Sequence, residues 1–235
     1  MDRSREKLAE YLTAENIIPV LIAEKGNEAL LEKVPHVLFH DLEIIFKFMV
    51  PNNRESMPDV TNMFMEQQGW DAEELLEIAK RNLKNREQAR VLPMKKAAEE
   101  SLRPIGQEPI EENLEFIRET RETMVMLTNC SEIYGAACIL DDGLMKKIGE
   151  AFEGDMYIIP ASVNYCILVQ AEVAMLEDLQ RMLRESNKLI PQQEWLSDEV
   201  YYYDACTRKI VVPEDGWDEY AQIRPAAFVI HAEGR

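Results

Sequence analysis

The chain has 235 residues, 46% hydrophobic and 30% charged, the balance of a globular protein with a sizeable core in one large or two small domains. Its 44 acidic and 26 basic residues leave a net charge of −18, which repels nucleic acid and anionic membrane, so direct binding to either is not expected. No apolar run reaches the ~20 residues that span a bilayer, and the start, MDRSREKLAEYL, lacks the apolar stretch of a signal peptide, so a cytoplasmic protein is expected.

Residues 3–13 have the period of a short amphipathic helix, with Leu8, Tyr11 and Leu12 on one side. Residues 17–23 form an apolar run that fits strand or helix. Asn27 then stands as the cap of a helix that ends at Pro35. Residues 42–50, LEIIFKFMV, are rich in β-branched and aromatic side chains and read best as a strand, stopped by Pro51. Asp71 caps a helix, AEELLEIAKRNLKN, with acids in its first turn and bases in its last. From 80 to 96 the chain is basic: Lys80, Arg81, Lys84, Arg86, Arg90, Lys95 and Lys96 against Glu87 alone. A solvated helix end explains this first; a docking patch for an acidic partner, or for the chain's own acidic half, comes second.

Residues 86–122, punctuated by Pro93, Pro104 and Pro109, read as the least core-like part, with a connector at 101–122. A strand-strand-helix-strand-strand block follows. Its strands fall at 124–128, 134–140, 156–159 and 163–169, with Pro160 breaking the last two. Its helix, LMKKIGEAF, leaves the turn Asp141-Asp142-Gly143. Residues 173–187 have helical period, placing Met175, Leu176, Leu179, Met182 and Leu183 on one face. A hairpin, VYYYD and KIVVP around residues 205–208, closes the pattern, and residues 214–235 read as a tail or edge strand. The sum is an α+β protein: a mainly helical N-terminal lobe (1–100), the connector, and a C-terminal lobe (123–213) with an antiparallel sheet flanked by helices. Short turns between adjacent strands argue against a doubly wound sheet.

Chemistry-bearing patterns are sparse. Cys130, Cys138, Cys166 and Cys206 form no CxxC pair, and three of the four sit in apolar, strand-like runs, which points to buried, reduced thiols. His36 and His40 are four apart, a spacing that can hold zinc, but no third ligand is visible. Ser162 follows a strand break without an adjacent base. The nine glycines are isolated, so no phosphate loop exists, and no cofactor is expected. Asn129, Tyr134 and Gly135 flank a turn in which Asn and Gly tolerate positive φ. Tyr201, Tyr202 and Tyr203 alternate across a strand; an exposed pair beside Trp195 or Trp217 would be a partner-binding hot spot.

The words MVMLTN, YGAACIL and DMYIIPASVNYCILV resemble an uncharacterised bacterial group, the YtpQ-like proteins and their longer relatives in Gram-positive anaerobes. The likeness extends to EKVPHVLFHDLEIIFKFMV, TNMFMEQQGWDAEELLEIAKRN, VLPM, and LSDEVYYYD with KIVV, over roughly residues 17–213. It implies that an α/β segment which usually precedes this region is short or absent here. It also implies a Pro-Ser-Ser-x-His-Glu motif where this chain reads Pro160-Ala161-Ser162-Val163-Asn164-Tyr165. Asn and Tyr supply no group that titrates near neutral pH, so any acid-base or metal chemistry of that pair is not available in the same form.

The leading expectation is a non-catalytic module that binds another protein. One alternative is a nucleic-acid mimic that inhibits a DNA-binding protein. Another is an enzyme with a pocket near Ser162 and Asn164. The candidate binding residues are Asn129, Tyr134, Ser162, Asn164, Tyr165 and His36.

Overall fold

The computed structural model describes residues 10–50, 57–86, 88–94 and 110–213. The helix expected over 3–13 lies mostly outside them, and the tail or edge strand of 214–235 wholly so. The class is α+β, with helices packed on two antiparallel sheets.

The first sheet has the order β1-β3-β2, from β1 (Ile17–Ala23), β2 (His36–Phe39) and β3 (Leu42–Phe48). The N-terminal part, expected to be mainly helical, therefore carries a sheet beside its helices. Period could not tell strand from helix at 17–23, because both sides of that run are covered and every residue is buried. Pro19 is tolerated because β1 is an edge strand. Helix α1 (Glu28–Leu31) is a single turn, and Asn27 does not cap it with its side chain; its Nδ2 donates to the Ala23 carbonyl instead. Helices α2 (Asn62–Gln68) and α3 (Ala72–Arg86) follow. Asp71 and Glu74 form a reciprocal cap on α3, each carboxylate accepting the other residue's backbone N–H at 2.8 and 3.2 Å.

The second sheet has six strands in the order β4-β5-β7-β6-β8-β9. They are β4 (Ala89–Pro93), β5 (Met124–Asn129), β6 (Met156–Ser162), β7 (Tyr165–Gln170), β8 (Tyr201–Asp204) and β9 (Lys209–Val211). Strand β4 corrects the reading of 86–122 as poor in core residues: Val91 and Leu92 are buried. Pro93 misled because proline argues against a strand only where the ladder needs its N–H; β4 is an edge. Part of the expected connector is helix α4 (Ile110–Thr120), anchored by Leu114 and Ile117.

The expected strand at 134–140 is a 3-10 helix, Gly135–Leu140, with every residue buried. Its run of small and apolar side chains lies between the sheets, so no alternation of faces was available to identify it. Helix α5 (Asp142–Phe152) then starts as expected, Asp141 accepting the Gly143 and Leu144 N–H groups. Pro160 does not break the sheet. Strand β6 passes through it with an irregular register between Ile159 and Ser162, past the residues that pair with β8. Helix α6 (Leu176–Asn187) and the β8–β9 hairpin are where the sequence places them.

One cluster of buried side chains fills the space between the sheets. It joins Leu21, Ile44 and Phe46 of the first sheet to Leu75 and Leu83 of α3, Ile148 of α5 and Leu127, Leu168 and Tyr201 of the second sheet. A smaller cluster lies on the outer face of the second sheet, where Leu176, Leu179 and Leu183 of α6 cover Tyr157, Ile159, Val169 and Tyr202. The tyrosine triplet alternates as expected, Tyr201 and Tyr203 inward and Tyr202 outward, but all three are buried and offer no exposed hot spot.

The basic stretch is not simply solvated. Lys80 and Lys84 of α3 meet Asp142 and Asp141 at the start of α5, at 3.2 and 3.9 Å, and Arg90 meets Glu132 at 3.1 Å. The chain's own acidic half is thus the partner of these three cations. Lys95 and Lys96 lie outside the described residues.

Candidate functional site

Four of the six candidate residues converge on the turn that follows β5. Asn129 ends β5, and its Nδ2 donates to the Ile133 carbonyl at 2.8 Å. Its Oδ1 accepts from Ser131 Oγ at 3.0 Å. These bonds wind residues 129–133 into a compact loop that leaves Tyr134 at φ 57°. From the other side comes the β6–β7 turn. Ser162 Oγ accepts the Asn164 N–H at 3.0 Å, and Asn164 Oδ1 accepts the Tyr134 N–H at 3.0 Å. The Asn164 carbonyl in turn accepts Thr128 Oγ1–H at 2.7 Å. Asn129, Tyr134, Ser162 and Asn164 therefore knot two turns together through backbone groups that would otherwise be unpaired.

Gly135 sits at the centre of this knot. A side chain there would place Cβ 2.3 Å from Thr128 Oγ1, 2.5 Å from the Asn164 carbonyl oxygen and 2.7 Å from the Asn129 nitrogen. The positive φ expected at Gly135 is carried by Tyr134 instead. Glycine is required for close approach of three chain segments. The Tyr134 ring packs against both the inter-sheet core and the outer side of the first sheet. Lys47 Nζ stands 5.5 Å from its centroid and 2.6 Å from Asp59.

Of the other two candidates, Tyr165 meets the knot through its ladder pairing with Ser162, and His36 stands on a different sheet. Tyr165 opens β7, half-buried, and burial followed by the Glu194 charge pushes its phenol above the usual range. His36 lies exposed on edge strand β2, its Nδ1 3.1 Å from the Val34 carbonyl. His36 and His40 would share a face only on a helix; His36 instead opens strand β2, and His40 turns into the left-handed region at φ 58°. Among the described residues no group of three His, Cys, Asp or Glu side chains is placed to hold a metal ion. Cys138 and Cys166 are buried as expected, and the Cys166 thiol is pushed up to about 12 by burial alone. Cys130 and Cys206 are exposed, because each falls in a turn rather than in its flanking strand.

Three features were not singled out from the sequence. The first is a clasp between the sheets. Asp41, in the β2–β3 turn, accepts Ser197 Oγ–H at 2.5 Å and Tyr201 O–H at 2.6 Å. Both donors are fully buried, and the partners lie more than 150 positions apart, so no local pattern could announce them. His40 stacks beside Tyr201, 5.3 Å between centroids, and burial holds its imidazole below the ordinary value against the opposing charge of Asp41.

The second is Glu43, buried in β3 with one carboxylate oxygen lacking any hydrogen-bond partner. Burial raises its pKa first; the nearby His36 lowers it and Glu24 raises it. The folded chain thus holds this proton more tightly than the unfolded chain does. This stabilising preference is complete below the ordinary carboxylate pKa and is lost as pH rises through the raised value. Glu43→Gln is accordingly expected to gain stability relative to the parent between pH 4 and pH 7, read as a growing difference in Tm. A difference that stays constant or shrinks would contradict the raised value.

The third is an exposed apolar row on α6. Period alone put Met175 and Met182 on the same face as the leucines. Leu176, Leu179 and Leu183 are indeed buried, but Met175 and Met182 remain 47% and 41% exposed, and Leu189 beyond the helix 87%. The apolar arc is wider than the sheet it rests on.

A family model of unknown function (DUF5688) matches residues 4–205. The chain belongs to that family. No curated protein and no solved structure matches it. In the described residues no helix is long and apolar enough to cross a membrane.

Proposed function

We propose that the chain is a bacterial cytoplasmic protein, related to the YtpQ-like group, that acts by binding another protein and carries out no chemistry of its own. The observation behind this reading is the use made of residues 160–165. Where the resemblance implies a His-Glu pair, Asn164 spends its side-chain oxygen and its carbonyl on holding the turn of Tyr134 and Gly135. Ser162 spends its hydroxyl on the Asn164 N–H. Groups committed to backbone in this way are poor nucleophiles and bases.

Binding needs an accessible apolar surface, and the row Met175, Met182 and Leu189 supplies one. Methionine adapts its shape to a partner better than branched side chains do. Mimicry of nucleic acid is less favoured, because cations interrupt the acidic surface: Lys147 pairs with Glu111, Lys146 with Glu150 and Arg181 with Asp178.

The test is affinity capture from an extract of the source cell with the immobilised chain and with Met182→Asp. The parent chain is expected to retain at least one protein that the variant loses. Identical retained sets would refute binding through this surface.

A further inference from the structure

The exposed row on α6 is one part of a seven-residue pattern. Residues 175–181 read MLEDLQR and residues 182–188 read MLRESNK, followed by Leu189. At about 100° per residue, positions seven apart fall within about 20° of one another. Met182 and the N-cap residue Met175 therefore line up along the exposed side, and Leu189, just past the C-cap, continues the exposed apolar residues beyond the helix. Leu176, Leu179 and Leu183 line up beside them, against the sheet. On the outer flank the row is bordered by Asp178 and Glu185, and the next row out is Arg181 and Lys188. Each acid is paired with a base within the helix, Arg181 with Asp178 at 2.5 Å and Lys188 with Glu185 at 2.6 Å.

We infer that this face is the contact between two copies of the chain, with α6 lying antiparallel to α6 of a second copy about a twofold axis at the level of residue 183. The inference rests on the protein-binding reading above and names the partner. The charge order carries it. A twofold axis perpendicular to both helices brings the outer flank of one against the same flank of the other. Asp178 and Lys188 stand equally far on either side of residue 183, and so do Arg181 and Glu185. A single axis therefore sets Asp178 opposite Lys188 of the second copy and Arg181 opposite Glu185 of the second copy. Each copy already holds its own acid-base pairs, so the two sets close into rings of four alternating charges. No like charges meet. The same axis brings the two Met182 side chains together at the centre and buries the exposed arc that each sheet leaves uncovered. A parallel arrangement would bring opposite flanks together and leave these charges unmatched.

Sedimentation velocity from about 1 to about 500 µM is the first measurement, since a short helix seam gives a weak, concentration-dependent dimer. The parent chain is expected to move from monomer towards dimer over that range. Met182→Asp places two carboxylates at the centre of the seam and is expected to weaken the dimer by at least about a hundredfold.

A charge-register experiment does not depend on that variant folding normally. In one variant, Asp178→Lys with Arg181→Glu, the helix keeps its internal pairs but sets like charges across the axis. The variant Glu185→Lys with Lys188→Glu does the same from the other side. Each alone is expected to be monomeric, and an equimolar mixture is expected to form a heterodimer. A parent chain that remains monomeric at the highest concentration overturns the inference. So does a dimer in which either charge variant self-associates as well as the parent. A chain monomeric on its own whose extract partner is lost with Met182→Asp overturns the twofold pairing and leaves the protein-binding reading standing.

Discussion

Replacing Gly135 by alanine is expected to cost about 3 kcal/mol of stability, a fall in Tm of roughly 6–12 °C for a chain of this size. The new methyl carbon would stand 2.3 to 2.7 Å from three heavy atoms, two of which belong to backbone. A flexible side chain could swing aside, but the Asn164 carbonyl and the Asn129 nitrogen cannot move without dragging the β6–β7 turn and the end of β5. Thr128 would lose its bond to that carbonyl in the process. Thermal unfolding followed by circular dichroism measures the loss. A change under about 1 kcal/mol would show that the three segments are not held as closely as described.

The second large effect is expected at the clasp. Asp41→Ala removes the acceptor of two buried hydroxyls, Ser197 and Tyr201, which lie on the second sheet or its approach. Hydrogen bonds to a charged acceptor are worth about 1.5–3 kcal/mol each, but Asp41 itself is exposed, so water partly replaces it. The expected net cost is about 2–3 kcal/mol. Tyr201→Phe removes one donor and loses less, because it leaves nothing unpaired at Tyr201. Combining the two separates the pair from the rest: the double variant is expected to lose at least about 1 kcal/mol less than the sum of the two single losses, because each single variant already forfeits the shared bond. Strict additivity would mean that the Asp41–Tyr201 bond contributes nothing across the seam.

These two sites show where sequence reading stops. Gly135 and Asn129 were both visible as turn residues, and turn chemistry is local enough to be read from the chain. What the turn touches was not visible, since Thr128 and Asn164 are 36 positions apart. The Asp41 clasp lies further still beyond local pattern. Helix α3 with its Asp71 cap, helix α5 after its Asp141-Asp142-Gly143 turn and the β8–β9 hairpin were legible because the signals that start and stop them sit within a few residues. The segment Gly135–Leu140 was misread as a strand because a fully buried run keeps no period on either template.

The candidate binding residues follow the same division. Ser162 and Asn164 were singled out through a resemblance, and the fold places them as a brace between two turns. The α6 row is the reverse case. Its heptad spacing was present in the chain throughout, yet period reports only that side chains share an arc of the helix. How much of the arc a sheet covers depends on the width of the strands beneath it, which no helix sequence encodes. Sequence alone therefore determined the class, the Asp71 cap, the hairpin and the charge of this protein, all products of nearest-neighbour chemistry. Tertiary structure decided which polar groups are consumed in bracing the fold and which apolar side chains are left facing outward, because both depend on segments that meet only after the chain has folded.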